Sequence, residues 1–246
     1  MNENKIIEVC CNSLTSALNA QKAGADRIEL CANLNNGGTT PSYGTIKLAK
    51  EKLKIPINVL IRPRGGDFLY NDYEIEEIFE DIKICKSIGV NGIVCGFLDK
   101  DGNIDIKLTK KAVEESKPLS FTFHRAFDLS KDHLKSLEDI ILCGANRILT
   151  SGFSNKVFNG IDIIKNLIEK SNNRIIIMPG SGINANNIKD ILNYTNAKEF
   201  HLSGTKLLDS NMVFRKENIL SNNKEDFKLL YSDVENIKNV IKKLKE

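Results

Sequence analysis

Along this chain, short apolar runs alternate with longer stretches in which apolar residues return every three or four positions. The runs fall at residues 6–11, 27–31, 57–62, 92–97, 119–124, 147–151, 174–178 and 199–203. Their length predicts buried strands, and the 3.6-residue period of the intervening stretches predicts helices. The predicted helices cover 13–23, 41–53, 73–88, 106–115, 131–142, 160–169, 184–192 and 232–244. Ser13 is placed to cap the first, and Gly24, Gly89 and Gly144 sit where three of them should stop. Pro41 stands at the opening of the second helix, where its fixed φ fits and its missing N–H costs nothing.

Strands separated by helices pair in parallel, because a parallel neighbour requires a crossover. Eight such units in 246 residues match a single (β/α)₈ (TIM) barrel over 1–246. A doubly wound open sheet is the alternative, but it carries a glycine-rich turn after its first strand; here that position reads Cys10-Cys11-Asn12-Ser13. A polar, asparagine-rich stretch near 204–231 precedes the last helix and is expected to be a loop or lid.

In such a barrel the chemistry sits at the C-terminal strand ends, and the polar residues of this chain gather there. Alternation puts Glu8 with Cys10, and Glu29 with Cys31, on single strand faces. The third strand leads into Arg62-Pro63-Arg64-Gly65-Gly66-Asp67. Arg62 and Arg64, expected on one side of the chain, present donor forks suited to a carboxylate or phosphate. They are also the expected partners of Glu8 and Glu29, since buried carboxylates are costly unless paired. The fifth strand ends in His124-Arg125-Ala126-Phe127-Asp128. There His124, or one of the two glutamates, is a candidate general acid or base, and Asp128 is a candidate to orient His124 or Arg125. Ser151 ends the sixth strand, and His201 lies on the eighth. The turns Gly180-Ser181-Gly182 and Ser203-Gly204-Thr205 expose backbone N–H groups beside helix starts, as phosphate sites do. A self-satisfied charge network and plain tight turns remain open as alternatives. Cys10 and Cys31, at the ends of consecutive strands, are placed to approach one another. They are either two small buried residues or a pair of soft ligands for Cu(I), with imidazole as a further ligand.

Composition changes this picture little. A 41% hydrophobic, 27% charged chain with formal net charge +3 is ordinary for a globular protein. The lysine-rich 238–245 segment has the spacing of a solvated helix face, so no nucleic-acid partner is expected. No run approaches the ~18 apolar residues of a membrane span. The start lacks a signal-like apolar core, and the six cysteines form no CxxC pair. The expectation is a cytoplasmic protein with reduced thiols. No organic cofactor is indicated, and homo-oligomerisation stays open.

The motifs Ile7-Glu8-Val9-Cys10, Gly24-Ala25-Asp26-Arg27-Ile28-Glu29-Leu30-Cys31, Gly37-Gly38-Thr39-Thr40-Pro41-Ser42, Arg62-Pro63-Arg64-Gly65-Gly66-Asp67-Phe68, Phe121-Thr122-Phe123-His124-Arg125-Ala126-Phe127-Asp128 and Leu149-Thr150-Ser151-Gly152 together resemble the CutC family. The resemblance runs from about Lys5 to Thr205. It implies a (β/α)₈ barrel, a cytoplasmic location and a part in copper homeostasis, with copper held by Cys10 and Cys31. The turn at Pro179-Gly180-Ser181-Gly182 departs from the family pattern. Two functions are therefore expected: Cu(I) binding through Cys10 and Cys31, or an enzyme acting on a small anionic or phosphorylated metabolite.

Overall fold

A computed structural model describes residues 5–214 and 227–246. Eight parallel strands form a nearly closed barrel: β1 (Ile6–Cys11), β2 (Arg27–Leu30), β3 (Ile57–Leu60), β4 (Gly92–Cys95), β5 (Ser120–Phe123), β6 (Arg147–Thr150), β7 (Ile176–Pro179) and β8 (Glu199–Leu202). They pair in the order β7-β6-β5-β4-β3-β2-β1-β8, and β7 and β8, the two ends of that order, lie beside one another without a hydrogen-bonded ladder. Around them lie α1 (Leu14–Ala23), α2 (Tyr43–Lys52), α3 (Asp72–Ile88), α4 (Ile106–Ser116), α5 (His133–Cys143), α6 (Ile161–Ser171), α7 (Ile188–Thr195) and α8 (Val234–Lys245).

Side-chain alternation divides the interior into two cores. Outward-facing Ile7, Val9, Cys11, Ile28, Leu30, Ile57 and Val59 pack with helix residues such as Ile78, Ile82, Leu137 and Ile237 in the main apolar core. Inside the barrel a small second apolar cluster is formed by Cys10, Cys31, Leu60 and Val94, with Leu34 against them. Other inward positions carry polar or charged groups, including Glu8, Glu29, Thr122, Arg147 and Glu199, all buried. The barrel is thus held by its outer shell, and its inside is available for chemistry.

The flanks of the polar stretch near 204–231 differ from the loop expected there. β9 (Thr205–Asp209) and β10 (Lys228–Ser232) pair antiparallel as a ribbon, while residues 215–226 of that expected loop lie outside the described residues. The ribbon is fastened to the barrel: Asn12 Nδ2 donates to the Leu230 carbonyl at 3.1 Å, Asn19 Nδ2 to the Ser232 carbonyl at 3.0 Å, and the Ser232 hydroxyl to the Cys10 carbonyl at 3.3 Å.

Candidate functional site

The strand register builds the site floor. Glu8 stands opposite Arg27 on β2 and His201 on β8, and Cys10 stands opposite Glu29. Glu8 is fully buried. Arg27 Nε donates to its Oε2 at 2.5 Å, Asn58 Nδ2 donates to Oε2 at 3.0 Å, and His201 Nδ1 lies 2.8 Å from Oε1. Arg27 also bridges to Glu199 at 2.5 Å, and Arg147 holds the same Glu199 carboxylate through two nitrogens at 3.0 and 3.3 Å. Gly92 leaves room for this layer, because a Cβ there would collide with the Asn58 amide and the Ser120 hydroxyl. Burial alone pushes the Glu8 carboxyl up, but the hydrogen bond from His201 and the Arg27 charge overcome it and bring it down to about 2. Two carboxylates and two guanidinium groups thus compensate one another below the pocket.

Among the described residues Glu29 has no such partner, and its one side-chain hydrogen bond there is from the Cys10 thiol at 3.5 Å. Burial, together with repulsion from Glu8, holds its carboxyl above the usual range against the pull of His201. Burial pushes the His201 imidazole down, yet the charge of Glu29 and the hydrogen bond to Glu8 raise it. Because Nδ1 faces Glu8 as donor to a carboxylate, Nε2 is the nitrogen left for a ligand. The Cys10 and Cys31 sulfurs are 3.6 Å apart. Their mutual hydrogen bond, burial and the Glu29 charge hold the Cys10 thiol well above its usual range. Ligand atoms of Cys10, Glu29 and His201 all lie within 4.8 Å of one another.

These groups open into a cavity of about 370 Å³ at the C-terminal strand ends, whose walls include Cys10, Glu29, Arg62, His124, Lys156 and His201. The arginines do not clamp it jointly. The strand ends at Leu60, so alternation no longer governs Arg62 and Arg64, and Pro63 with the glycine turn sends them apart. Arg62, buried, donates to the carbonyls of Asn36, Gly38 and Gly66 at 3.1, 2.9 and 2.6 Å and stacks on Phe68. Arg64 points away to Glu74 at 2.5 Å and Asp67 at 3.1 Å, and Glu74 is itself half of a capping box with Asn71 at the start of α3. The expected pairing of Glu8 and Glu29 with Arg62 and Arg64 is therefore replaced by Arg27 for Glu8 and by a thiol for Glu29.

His124 lines the cavity, but Asp128 does not orient it. Asp128 accepts from Arg125 Nε at 2.7 Å, Thr150 Oγ1 at 2.5 Å and the Ser151 amide at 3.0 Å, and so fixes Arg125 and the β6 end. The Ala126 amide donates to His124 Nδ1 at 3.2 Å, which puts the ring proton on Nε2. Gly96 makes room for that ring, since a Cβ would lie 2.7 Å from Nδ1. Burial and the Arg62 charge bring the His124 imidazole down to about 3.

From the two turns, Ser181, Gly182 and Ser203 reach the main cavity. Gly204 and Thr205, with Gly182, line a neighbouring cleft of about 360 Å³. The α8 start is already occupied there, because the Asp233 carboxylate accepts from the Asn236 amide at 2.9 Å. Gly180 packs against Leu149 and His201, where a side chain would not fit. Ser151 is buried and donates to the Ser154 carbonyl at 2.5 Å. Arg27, Asn58, Arg147, Glu199 and Lys156 were not among the residues expected at the site. Arg27 and Glu199 share inward faces with Glu29 and His201, so alternation carried a signal for them. Lys156, an exposed loop lysine, carried none.

An eight-stranded parallel barrel with a thiol, carboxylate and imidazole cluster at its mouth defines the class: a (β/α)₈ barrel whose polar side chains gather at the C-terminal strand ends. Residues 5–206 match the CutC family. A CutC family protein of Parabacteroides distasonis is 47% identical over 238 residues, which are 95% of this chain and 98% of that protein. The human protein named copper homeostasis protein cutC homolog is 46% identical over 214 residues, 87% of this chain and 78% of that one. The chain belongs to the CutC family. A crystal structure of CutC from Streptococcus agalactiae superposes with a TM-score of 0.77 at 39% identity, covering 81% of this chain and 98% of that one. Phosphoribosylanthranilate isomerase of Thermotoga maritima superposes at 0.59 with 14% identity, over 98% of each chain, and shares the fold alone.

Proposed function

We propose that this protein takes part in copper homeostasis by binding Cu(I) at Cys10 and Cys31. The carrying observation is the pair of thiols 3.6 Å apart inside the barrel. Two sulfurs bound to one ion at about 2.3 Å each can be no more than about 4.6 Å apart, so the pair fits without movement of the strands. Thiolates select a soft ion, and an imidazole is acceptable beside them. His201, held by Glu8, supplies that imidazole, and Glu29 stands ready to take a displaced proton. The copper ion is the cargo. The names of the human and mouse relatives as copper homeostasis proteins support the reading.

The alternative of acid–base chemistry with a two-arginine clamp lost its clamp when Arg64 turned to Glu74. A reducing, cytoplasmic setting belongs to the copper reading, since all six cysteines are free, and among the described residues no helix is long and apolar enough to cross a membrane.

The test is an anaerobic Cu(I) competition titration against a chelator of known affinity, with wild type and Cys10→Ser/Cys31→Ser in parallel. One equivalent bound tightly by wild type and not by the variant is expected. Equal binding by both would remove the assignment.

A further inference from the structure

A single copper ion leaves most of the cavity unexplained. Its volume of about 370 Å³ is roughly twelve times the ~30 Å³ share of one water molecule and lies within the range of small-molecule sites. Its electrostatics point to the kind of molecule. Arg62 is 5% exposed, yet its guanidinium is met by three backbone carbonyls and the Phe68 ring and, among the described residues, by no carboxylate. A buried charge without a counter-charge is costly. Lys156 lays its stem across Gly182 at the rim, and its ammonium has no partner among the described residues. Arg125 is on the same wall, half exposed and shared with Asp128. His124 is 5% exposed, and its Nε2–H, the only N–H of the ring, has no acceptor among the described residues. An orphaned donor in a buried wall calls for a ligand atom.

We propose that the pocket binds a small organic oxyanion, a metabolite bearing a carboxylate or phosphate, which accepts from His124 Nε2–H and is countered by Lys156 and Arg62. Phe68, Leu149 and Leu202 supply apolar wall for its carbon skeleton. The oxyanion site shares the cavity with Cys10 but does not depend on copper at Cys10 and Cys31.

Metal-free, reduced protein is titrated by calorimetry with inorganic phosphate in one series and with pyruvate and succinate in another, and ¹H–¹³C spectra follow the three histidine rings. Saturable binding of at least one probe is expected, with the His124 ring resonance moving on saturation. Lys156→Ala, a surface change that leaves folding intact, should weaken it at least tenfold. His124→Asn, which keeps an acceptor for the Ala126 amide but removes the Nε2 donor, should do the same. Binding should persist in Cys10→Ser/Cys31→Ser, and whichever series saturates identifies phosphate or carboxylate. No saturable binding, binding indifferent to both Lys156→Ala and His124→Asn, or binding abolished by the cysteine double variant would each overturn the proposal. Failure of copper binding would leave this result untouched.

Discussion

Replacing Glu8 by glutamine removes one charge from the floor of the site and almost nothing from its volume. The carboxyl is fully buried, and its fall from an ordinary 4.5 to about 2 corresponds to about 3 kcal/mol in favour of the ionised form in the folded state. Mutational experience with buried pairs gives a similar figure, about 3–5 kcal/mol for deleting one partner. Because the folded value is the lower one, this contribution is complete above the unfolded carboxyl's 4.5 and fades as pH falls through about 2. At pH 3 about two-thirds of it should be gone. Urea unfolding of wild type and Glu8→Gln, followed by far-UV circular dichroism at pH 7, 5, 4 and 3, reads both quantities. A gap of about 3 kcal/mol at pH 7 that shrinks to about 1 at pH 3 is expected. A gap below 1 kcal/mol at pH 7, or one unchanged at pH 3, would refute the account of Glu8 as an ionised keystone. The same variant replaces the carboxylate that holds the His201 ring by a weaker, neutral acceptor, so Cu(I) affinity should fall about 10- to 100-fold, the usual effect of altering the group that orients a ligating histidine.

Three further outcomes are expected. Arg62→Lys cannot span three carbonyls and should lower stability by about 2–3 kcal/mol in thermal or urea unfolding, whereas Arg64→Ala should lose about 1 kcal/mol or less and leave ligand binding at the pocket unchanged. His124 is buried neutral, with its imidazole at about 3 against an ordinary 6.5. The unfolded chain therefore binds the extra proton between those values, and stability should fall as pH drops from 6.5 toward 3. His124→Asn should flatten that part of the stability–pH curve. Since the Cys10 thiol is held well above its usual range, copper must displace its proton, and apparent Cu(I) affinity should rise about tenfold per pH unit for each proton released. Competition titrations at pH 6, 7 and 8 check the slope.

The eight strands were legible because each is a short apolar run between amphipathic helices. Their ends were less so: the seventh, expected at 174–178, is Ile176–Pro179, since an isoleucine-rich run does not say where its ladder begins. The approach of Cys10 to Cys31 was also readable, because neighbouring strand ends had to bring them together. The ion-pair partners were not. Alternation tells which side of a strand a residue faces, but the register that sets Glu8 against Arg27 and His201 is a property of the closed barrel. For Arg62 and Arg64 the reading assumed a strand that continued past Leu60. Lys156 reaches the pocket only because its loop lies against the β7 turn, where the Val157 amide donates to the Ser181 carbonyl at 2.9 Å.

The tie between the ribbon and β1 has a consequence for the order in which the protein is made. Cys10 and Cys31 leave the ribosome early. His201, whose ring joins Cys10 and Glu29 in one cluster, and Ser232, whose hydroxyl closes on the Cys10 carbonyl, follow some 170 and 200 residues later than Cys31. At ordinary rates of synthesis, about 5–20 residues per second, the two thiols spend roughly 10–40 s in a chain that cannot yet shelter them. During that interval they meet the cell's oxidants and loose metal ions as an open dithiol. Only the finished chain encloses them as a buried pair.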